Sequence, residues 1–184
     1  MTKNLLVISL ITEKYVGLCQ DKQEDNMGKE FNPFMAEAIK LATENVRSGN
    51  GGPFAAVIVK DNKIIASAVN EVTSTNDPTA HAEISAIRNA CKKLNSFQLE
   101  DCDIYCSCEP CPMCLGAIYW ARPKNIYYGN TISDAAGIGF DDTFIYNEIG
   151  TPVELRKINM KQLMNKEAKE SFIEWENKTD KIGY

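Results

Sequence analysis

The sequence CSCEPCPMC, which spans Cys106 to Cys114, places four thiols within nine residues. Thiols at this density can hold a structural zinc ion, an iron–sulfur cluster or a catalytic metal, or they can pair as disulfides. The run Cys108-x-x-Cys111-x-x-Cys114 matches part of a ferredoxin-type motif, but no cysteine follows Cys114 in the chain. A zinc knuckle that used Cys106 and Cys108 would need a loop where the flanking residues predict an extended strand.

The single histidine of the chain, His81, indicates a different metal site. We expect His81 and Cys111 to stand at the starts of two helices, where the helix dipole and free N–H groups lower the pKa of a thiol. Two helix starts directed at one point would supply His81, Cys111 and Cys114 as ligands. The fourth position would remain for water, as in catalytic zinc sites. Glu83 follows His81 by two residues, so we expect it to reach that water without being a ligand.

Composition and charge narrow the class of protein. The chain has 184 residues, of which 44% are hydrophobic and 24% charged, values typical of a single globular domain. Its net charge is −5 and its basic residues are scattered, so we expect no nucleic-acid partner. The apolar run from Leu5 to Ile11 is too short to cross a bilayer and lacks the pattern of a signal peptide. These features predict a cytoplasmic protein without a membrane partner.

The order of predicted elements is that of an α/β fold. A hairpin precedes a helix–strand–helix–strand sequence, which predicts a mixed central sheet with helices on both faces. We assign residues 1–26 to an N-terminal extension of unknown role and residues 27–184 to a zinc-binding domain with a C-terminal helix and tail. The predicted ranges are helix 33–48, strands 54–59 and 63–69, helix 80–94, strand 103–107, a helix opened by Pro110 and Pro112, strand 125–128, a Gly/Asp-rich loop, a short strand at 153–158 and helix 161–176.

Four segments carry a resemblance to a known family. They are GGPFAAVIVKD (51–61), NDPTAHAEISAIR (76–88), SCEPCPMCLGAIYWARPK (107–124) and GFDDTFIYNEI (139–149). The H-x-E and P-C-x-x-C motifs within them are the signature of zinc nucleobase deaminases. The chain resembles the cytidine-deaminase superfamily, and the last segment together with Tyr184 is most similar to the bacterial guanine deaminases.

The resemblance implies a fold and a reaction. The fold would be a three-layer α/β/α sandwich of the cytidine-deaminase type, and the cofactor would be Zn²⁺. The reaction would be the hydrolysis of guanine to xanthine and ammonia in purine catabolism or salvage. Glu83 would carry protons from water to the ring and to the departing ammonia.

The resemblance also implies further site residues and an assembly. Asp142 would assist proton transfer or bind the guanine N–H groups, with Asp141 beside it as the alternative carboxylate. A homodimer would exchange C-terminal segments, so that Tyr184 closes the site of its partner. The implied contacts with the substrate are Asn70, Phe54, Trp120 and Tyr184.

Two other functions remain open from the sequence. A related zinc deaminase would act on guanosine, cytosine or an adenosine in tRNA, and the pocket width that separates these substrates cannot be read from the sequence. A non-catalytic, zinc-stabilised binding module is the second alternative. Such a module has no use for the Glu83 carboxylate, which favours an enzyme.

Overall fold

A four-stranded mixed sheet forms the centre of the chain in a computed structural model that describes residues 31–183. The predicted boundary at residue 27 and Tyr184 lie outside the described residues. The elements in chain order are α1 (Pro33–Ser48), β1 (Ala55–Lys60), β2 (Lys63–Val69), α2 (Val72–Thr75), α3 (Ala82–Leu94), β3 (Cys102–Cys108), α4 (Pro112–Ala121), β4 (Asn125–Asn130), α5 (Ile132–Gly137), α6 (Thr143–Gly150), a 3₁₀ turn (Val153–Leu155) and α7 (Asn165–Asn177).

The sheet has the strand order β2-β1-β3-β4. Strand β1 is antiparallel to both β2 and β3, whereas β3 and β4 are parallel and are connected through α4. Asp61 and Asn62 turn the β1–β2 hairpin with φ angles of 49° and 55°. Positive φ at both central residues is the geometry that matches the twist of a two-residue hairpin. The predicted hairpin is therefore confirmed.

Alternate residues of β1 face two separate apolar cores. Ala56 and Ile58 pack with Ala82, Ala86 and Ala90 of α3, together with Ile118 and Ala121 of α4. Val57 and Val59 point to the other side and pack with Ala38 of α1. Because side chains alternate along a strand, a strand buried on both faces needs helices on both sides. This arrangement confirms the predicted α/β/α sandwich.

Helix α1 begins and ends at the residues that the sequence predicts. The Asn32 side-chain oxygen accepts hydrogen bonds from the backbone N–H groups of Phe34 and Met35, both at 3.0 Å. Pro33 occupies the first helical position, where its missing N–H costs nothing. Gly49 ends the helix with φ of 72°, a left-handed conformation that glycine adopts without a steric penalty.

Two parts of the chain differ from the prediction. The polar segment after β4 contains α5 and α6 rather than a loop, and the side chains of Thr131 and Asp134 form a capping box that starts α5. The predicted strand at 153–158 is wrong, because this segment forms a 3₁₀ turn followed by irregular chain. A strand requires a neighbour, and residues 153–158 pair with none of the described strands of this chain.

The C-terminal region leaves much apolar surface exposed. Helix α7 contains no buried residue, and Phe172 and Trp175 are 76% and 45% exposed. Strand β4 forms one edge of the sheet, and all six of its residues are exposed. Among residues 31–183 no helix combines the length and apolar character needed to cross a bilayer.

The turn before β1 requires a glycine, and this requirement predicts a stability difference. A Cβ at Gly51 would lie 2.0 Å from the Asn70 carbonyl oxygen, whereas a Cβ at Gly116 in α4 would meet no atom within 4 Å. We expect Gly51→Ala to lower the free energy of unfolding by about 1–3 kcal/mol, as overpacking does. Gly116→Ala is the matched control and should raise it by roughly 0.5–1 kcal/mol, because alanine favours a helix interior. Thermal unfolding measures both, and equal midpoints would contradict the predicted clash.

Candidate active site

The first turns of α3 and α4 bring the three predicted metal ligands together. His81 and Cys111 occupy the N-cap positions of these helices, and neither side chain makes a regular capping hydrogen bond. Both side chains are thus available for another contact. The His81 Nδ1 atom lies 3.5 Å from the sulfur of Cys111 and 3.5 Å from the sulfur of Cys114. Cys114, in the first turn of α4, is completely buried.

The geometry of these donors fits a tetrahedral zinc ion. Zinc bonds of about 2.3 Å to sulfur and 2.0–2.1 Å to nitrogen, at the tetrahedral angle, separate the two ligand atoms by about 3.6 Å. The three donor atoms lie within 4.8 Å of one another. One nitrogen and two sulfurs leave the fourth coordination position open. Among the described residues, His81, Cys111 and Cys114 form the group that could hold a metal ion, which we call the metal-compatible group. Cys106 lies in the hydrophobic core instead.

The two cysteines influence each other's protonation. A hydrogen bond from the Cys114 thiol, with a further contribution from His81, lowers the pKa of Cys111 to about 4. The same contact with Cys111 raises the pKa of Cys114, which therefore remains a thiol. The hydrogen bond to Cys111 also raises the pKa of His81. A metal ion favours the thiolate form of both sulfurs, because a coordinating thiol is deprotonated.

Glu83 lies beside the donors without belonging to the metal-compatible group. Its residue is only 7% exposed, and it lines the same cavity as His81 and Cys111. Burial is the main reason that the pKa of Glu83 is raised, since the charged carboxylate loses its water of hydration. A carboxyl group that takes up a proton readily at this position is suited to general acid–base chemistry.

One cavity of about 420 Å³ unites most of the site residues that the sequence implied. It is large enough for a small aromatic ligand, and its wall combines apolar side chains with a few polar groups, as in typical ligand sites. The residues from the sequence analysis that line it are Phe54, Asn70, His81, Glu83, Cys111 and Asp142.

The two neighbouring aspartates have different surroundings. Hydrogen bonds from the Thr143 side chain and from the Thr143 backbone N–H, the latter at 2.9 Å, lower the pKa of the Asp141 carboxyl group. Asp142 lines the cavity, and burial, reinforced by Cys111, raises the pKa of its carboxyl group. Position in the cavity therefore distinguishes Asp142 from Asp141, although the role of Asp142 in the reaction stays a prediction.

The aromatic wall includes a residue that the sequence analysis did not single out. Phe140 lines the cavity and meets Phe54 edge to face, with ring centroids 4.9 Å apart and an interplanar angle of 88°. Gly52 leaves room for this pair, since a Cβ there would lie 3.3–3.5 Å from both rings. Phe140 belongs to the segment 139–149 that carries the family resemblance, but the sequence alone gave no reason to choose it.

Two residues implied as substrate contacts are not among those that line this cavity. Trp120 is 65% exposed and lines a separate apolar cavity with Phe97 and Ile182. Tyr184 lies outside the described residues. Their roles in binding a substrate stay predictions.

Comparisons with known proteins agree with this geometry. A model of the cytidine and deoxycytidylate deaminase zinc-binding region matches residues 29–130, a range that contains all three donors and Glu83. A tRNA-specific adenosine deaminase from Aquifex aeolicus is 33% identical over 149 residues, which are 81% of this chain and 94% of that protein.

Another relative matches more of the sequence. Guanine deaminase from Bacillus subtilis is 56% identical over 151 residues, which are 82% of this chain and 97% of that protein. The X-ray structure of a Bacillus subtilis guanine deaminase matches with a TM-score of 0.82 and 54% identity over 85% of this chain and 99% of that one. The chain therefore belongs to the cytidine and deoxycytidylate deaminase family of zinc-binding proteins, and it resembles a guanine deaminase over most of its length.

Proposed function

We propose that this chain is a zinc-dependent guanine deaminase that hydrolyses guanine to xanthine and ammonia in purine catabolism or salvage. The main observation behind this proposal is that the buried Glu83 carboxyl group lies beside the three donors, in a cavity that Asn70 and Asp142 also line. The 56% identity with the Bacillus subtilis enzyme supports guanine as the substrate. A cytoplasmic location is part of the same proposal.

Glu83 carries the protons of the reaction. Zinc held by His81, Cys111 and Cys114 would polarise a water molecule and so supply a nucleophile at neutral pH. Glu83 accepts a proton from the attacking water and passes it to the ring nitrogen beside C2. It then takes the remaining proton of the hydroxyl group added at C2 and delivers it to the departing amino group, so that ammonia leaves and the carbonyl of xanthine forms. The burial that raises the pKa of Glu83 makes its protonated form accessible for these steps.

The remaining cavity residues bind and orient the base. Phe54 and Phe140 offer apolar surface to the flat purine ring. The Asn70 side-chain oxygen accepts a hydrogen bond from the Val72 backbone N–H at 3.3 Å. This bond orients the side-chain amide beside the cavity, where its N–H₂ group would bind a purine acceptor. Asp142 accepts hydrogen bonds from guanine N–H groups or relays a proton.

A tRNA adenosine deaminase is the second candidate, favoured by the identity with the Aquifex aeolicus enzyme. The net charge of −5 opposes it, because binding to the phosphate backbone requires a clustered basic surface. A non-catalytic zinc module is disfavoured by the buried Glu83, since burying a carboxyl group without a chemical use destabilises the fold.

We further propose a homodimer in which the C-terminal segments are exchanged. Helix α7 and strand β4 have exposed apolar surfaces, and a partner subunit would cover them. The tail that follows α7 ends at Tyr184, and exchange would carry this ring to the site of the partner. Closing the cavity with an aromatic ring excludes water and strengthens the electrostatic interactions inside.

The proposed substrate predicts a ranking of activities. We expect kcat/KM for guanine to exceed that for guanosine, adenine, cytosine and a tRNA anticodon stem-loop, measured as ammonia release from the zinc-loaded protein. A polar cavity distinguishes related bases by hydrogen bonds, and a missing partner typically costs about 1–3 kcal/mol, or a factor of about 5–150. A higher kcat/KM for the tRNA stem-loop or for guanosine would overturn guanine as the substrate while leaving the zinc chemistry intact.

Glu83→Gln separates proton transfer from metal binding. We expect this variant to keep its zinc and its unfolding temperature, while kcat for guanine falls by about 10²–10⁴-fold or more. Metal analysis and steady-state kinetics provide the two measurements. Cys114→Ser should lose zinc as well as activity, and Cys106→Ala, which lies outside the donor set, should keep both. Turnover by Glu83→Gln close to the parental value would refute the proposed role.

Mixed dimers test the exchanged tail. Deleting Tyr184 should lower guanine turnover without loss of zinc or of dimerisation, because the cavity loses its closing ring. After subunit exchange between this variant and Glu83→Gln, one site of each mixed dimer regains both residues. A 1:1 mixture should therefore recover about a quarter of the parental activity. A deletion defect that persists in confirmed mixed dimers would place the tail in its own subunit.

A further inference from the structure

We propose that Asn45 is a positioning residue for the purine site, and that its side-chain amide sets the separation between Asn70 and the aromatic wall. The inference rests on the proposed function, because it concerns the same cavity. Asn45 itself does not line the cavity. It lies in the last turn of α1.

Asn45 is a buried polar side chain with two long-range partners. Its residue is 5% exposed. The Nδ2 atom donates one hydrogen bond to the carbonyl oxygen of Gly52 at 2.9 Å and another to that of Asn70 at 2.8 Å. The two hydrogens of this amide group therefore bond to Gly52 and Asn70, which lie 18 residues apart in the sequence.

The carbonyl groups of Gly52 and Asn70 lie just beyond the open end of the β1–β2 hairpin, which is the end away from its turn. The last paired residues of that ladder are Ala55 and Val69. The Asn70 backbone N–H donates to the Phe54 carbonyl at 2.9 Å, beyond the last paired residues of the ladder. Asn45 joins the two carbonyl groups where ladder hydrogen bonding has ended. The Asn45 amide therefore takes the place of a further inter-strand hydrogen bond, and it connects the segments at Gly52 and Asn70 to α1.

The packing around this amide leaves little freedom for the segments to shift. A Cβ added to Gly51 would lie 2.0 Å from the Asn70 carbonyl oxygen and 3.0 Å from Asn45 Nδ2. The backbone of Gly51 is thus enclosed between the two groups that the hydrogen bond joins. Movement of the Asn70 carbonyl would move the Asn70 side chain, which lines the cavity together with Phe54 and Phe140.

Loss of the Asn45 amide should affect substrate binding more than the chemical step. The zinc donors and Glu83 stand at the starts of α3 and α4, whereas the Asn45 side chain donates to the carbonyl groups of Gly52 and Asn70. A residue that only supported the fold would lower stability without changing KM. A positioning residue would raise KM and leave kcat nearly unchanged.

The test compares Asn45→Ala with Val59→Ala. Val59 is buried against α1 near the far end of β1, and its truncation destabilises the same layer without touching the loops of the site. For Asn45→Ala we expect KM for guanine to rise about ten-fold, with kcat within about two-fold of the parent and zinc content unchanged. Val59→Ala should lower the unfolding temperature and keep the parental KM. An unchanged KM in Asn45→Ala, or an equal rise in Val59→Ala, would overturn the proposal.

Binding without turnover separates this inference from the proposed function. In the zinc-loaded Glu83→Gln background, calorimetry should show about ten-fold weaker guanine binding when Asn45→Ala is added. If the parent binds guanine without deaminating it, the proposed reaction is wrong while the effect of Asn45 is still measured. If the parent does not bind guanine, both proposals are overturned. Equal affinity with and without the Asn45 amide would refute the positioning role alone.

Discussion

His81 and Cys111 occupy the N-cap positions of α3 and α4, and neither side chain makes a regular capping hydrogen bond. Each helix therefore directs its N-terminal end, and a side chain that can bind a metal, toward the same point. The alanine-rich face of α3 packs closely on β1, and α4 packs against α3. The sheet thus holds the two helix starts at a separation at which one nitrogen and two sulfurs meet within bonding distance of a single ion. The position of Glu83 follows from the same contact, since it stands in the first turn of α3.

Charge explains why this cluster requires a cation. Two cysteine sulfurs and a buried carboxyl group lie together with a single imidazole, and burial opposes the charged form of each acid. In the absence of a cation the protonation is divided unevenly, with Cys111 as a thiolate and Cys114 as a thiol. A divalent ion compensates both sulfurs and lets the carboxyl group exchange its proton with a neighbouring water. The three donors and Glu83, the proposed proton carrier, are thus electrostatically interdependent, although Glu83 is not one of the donors.

The central fold and the donor set could be predicted because their signals are local. A continuous apolar run gives β1, Asn32-Pro33 and Gly49 bound α1, and the spacing of cysteines after a proline marks the start of α4. The segment after β4 was harder to predict, because its short helices α5 and α6 depend on a capping box and on contacts with residues distant in sequence. Glu109, for example, accepts a hydrogen bond from the Ile132 backbone N–H. Asn45 could not be found at all, since a lone asparagine near a helix end normally indicates a cap, and its two partners become neighbours only in the folded chain.

The cavity is built from two kinds of structure. The donors and Glu83 stand on helices anchored to the sheet, whereas Phe54, Asn70 and Phe140 stand on connecting segments outside those helices. Selection can therefore change the connecting segments, one residue at a time, while the chemistry of the metal site is retained. Members of a family built in this way can keep the same reaction while they differ in the substrate that they accept. Such divergence explains why this chain is similar both to a deaminase of a free base and to a deaminase of a tRNA nucleoside.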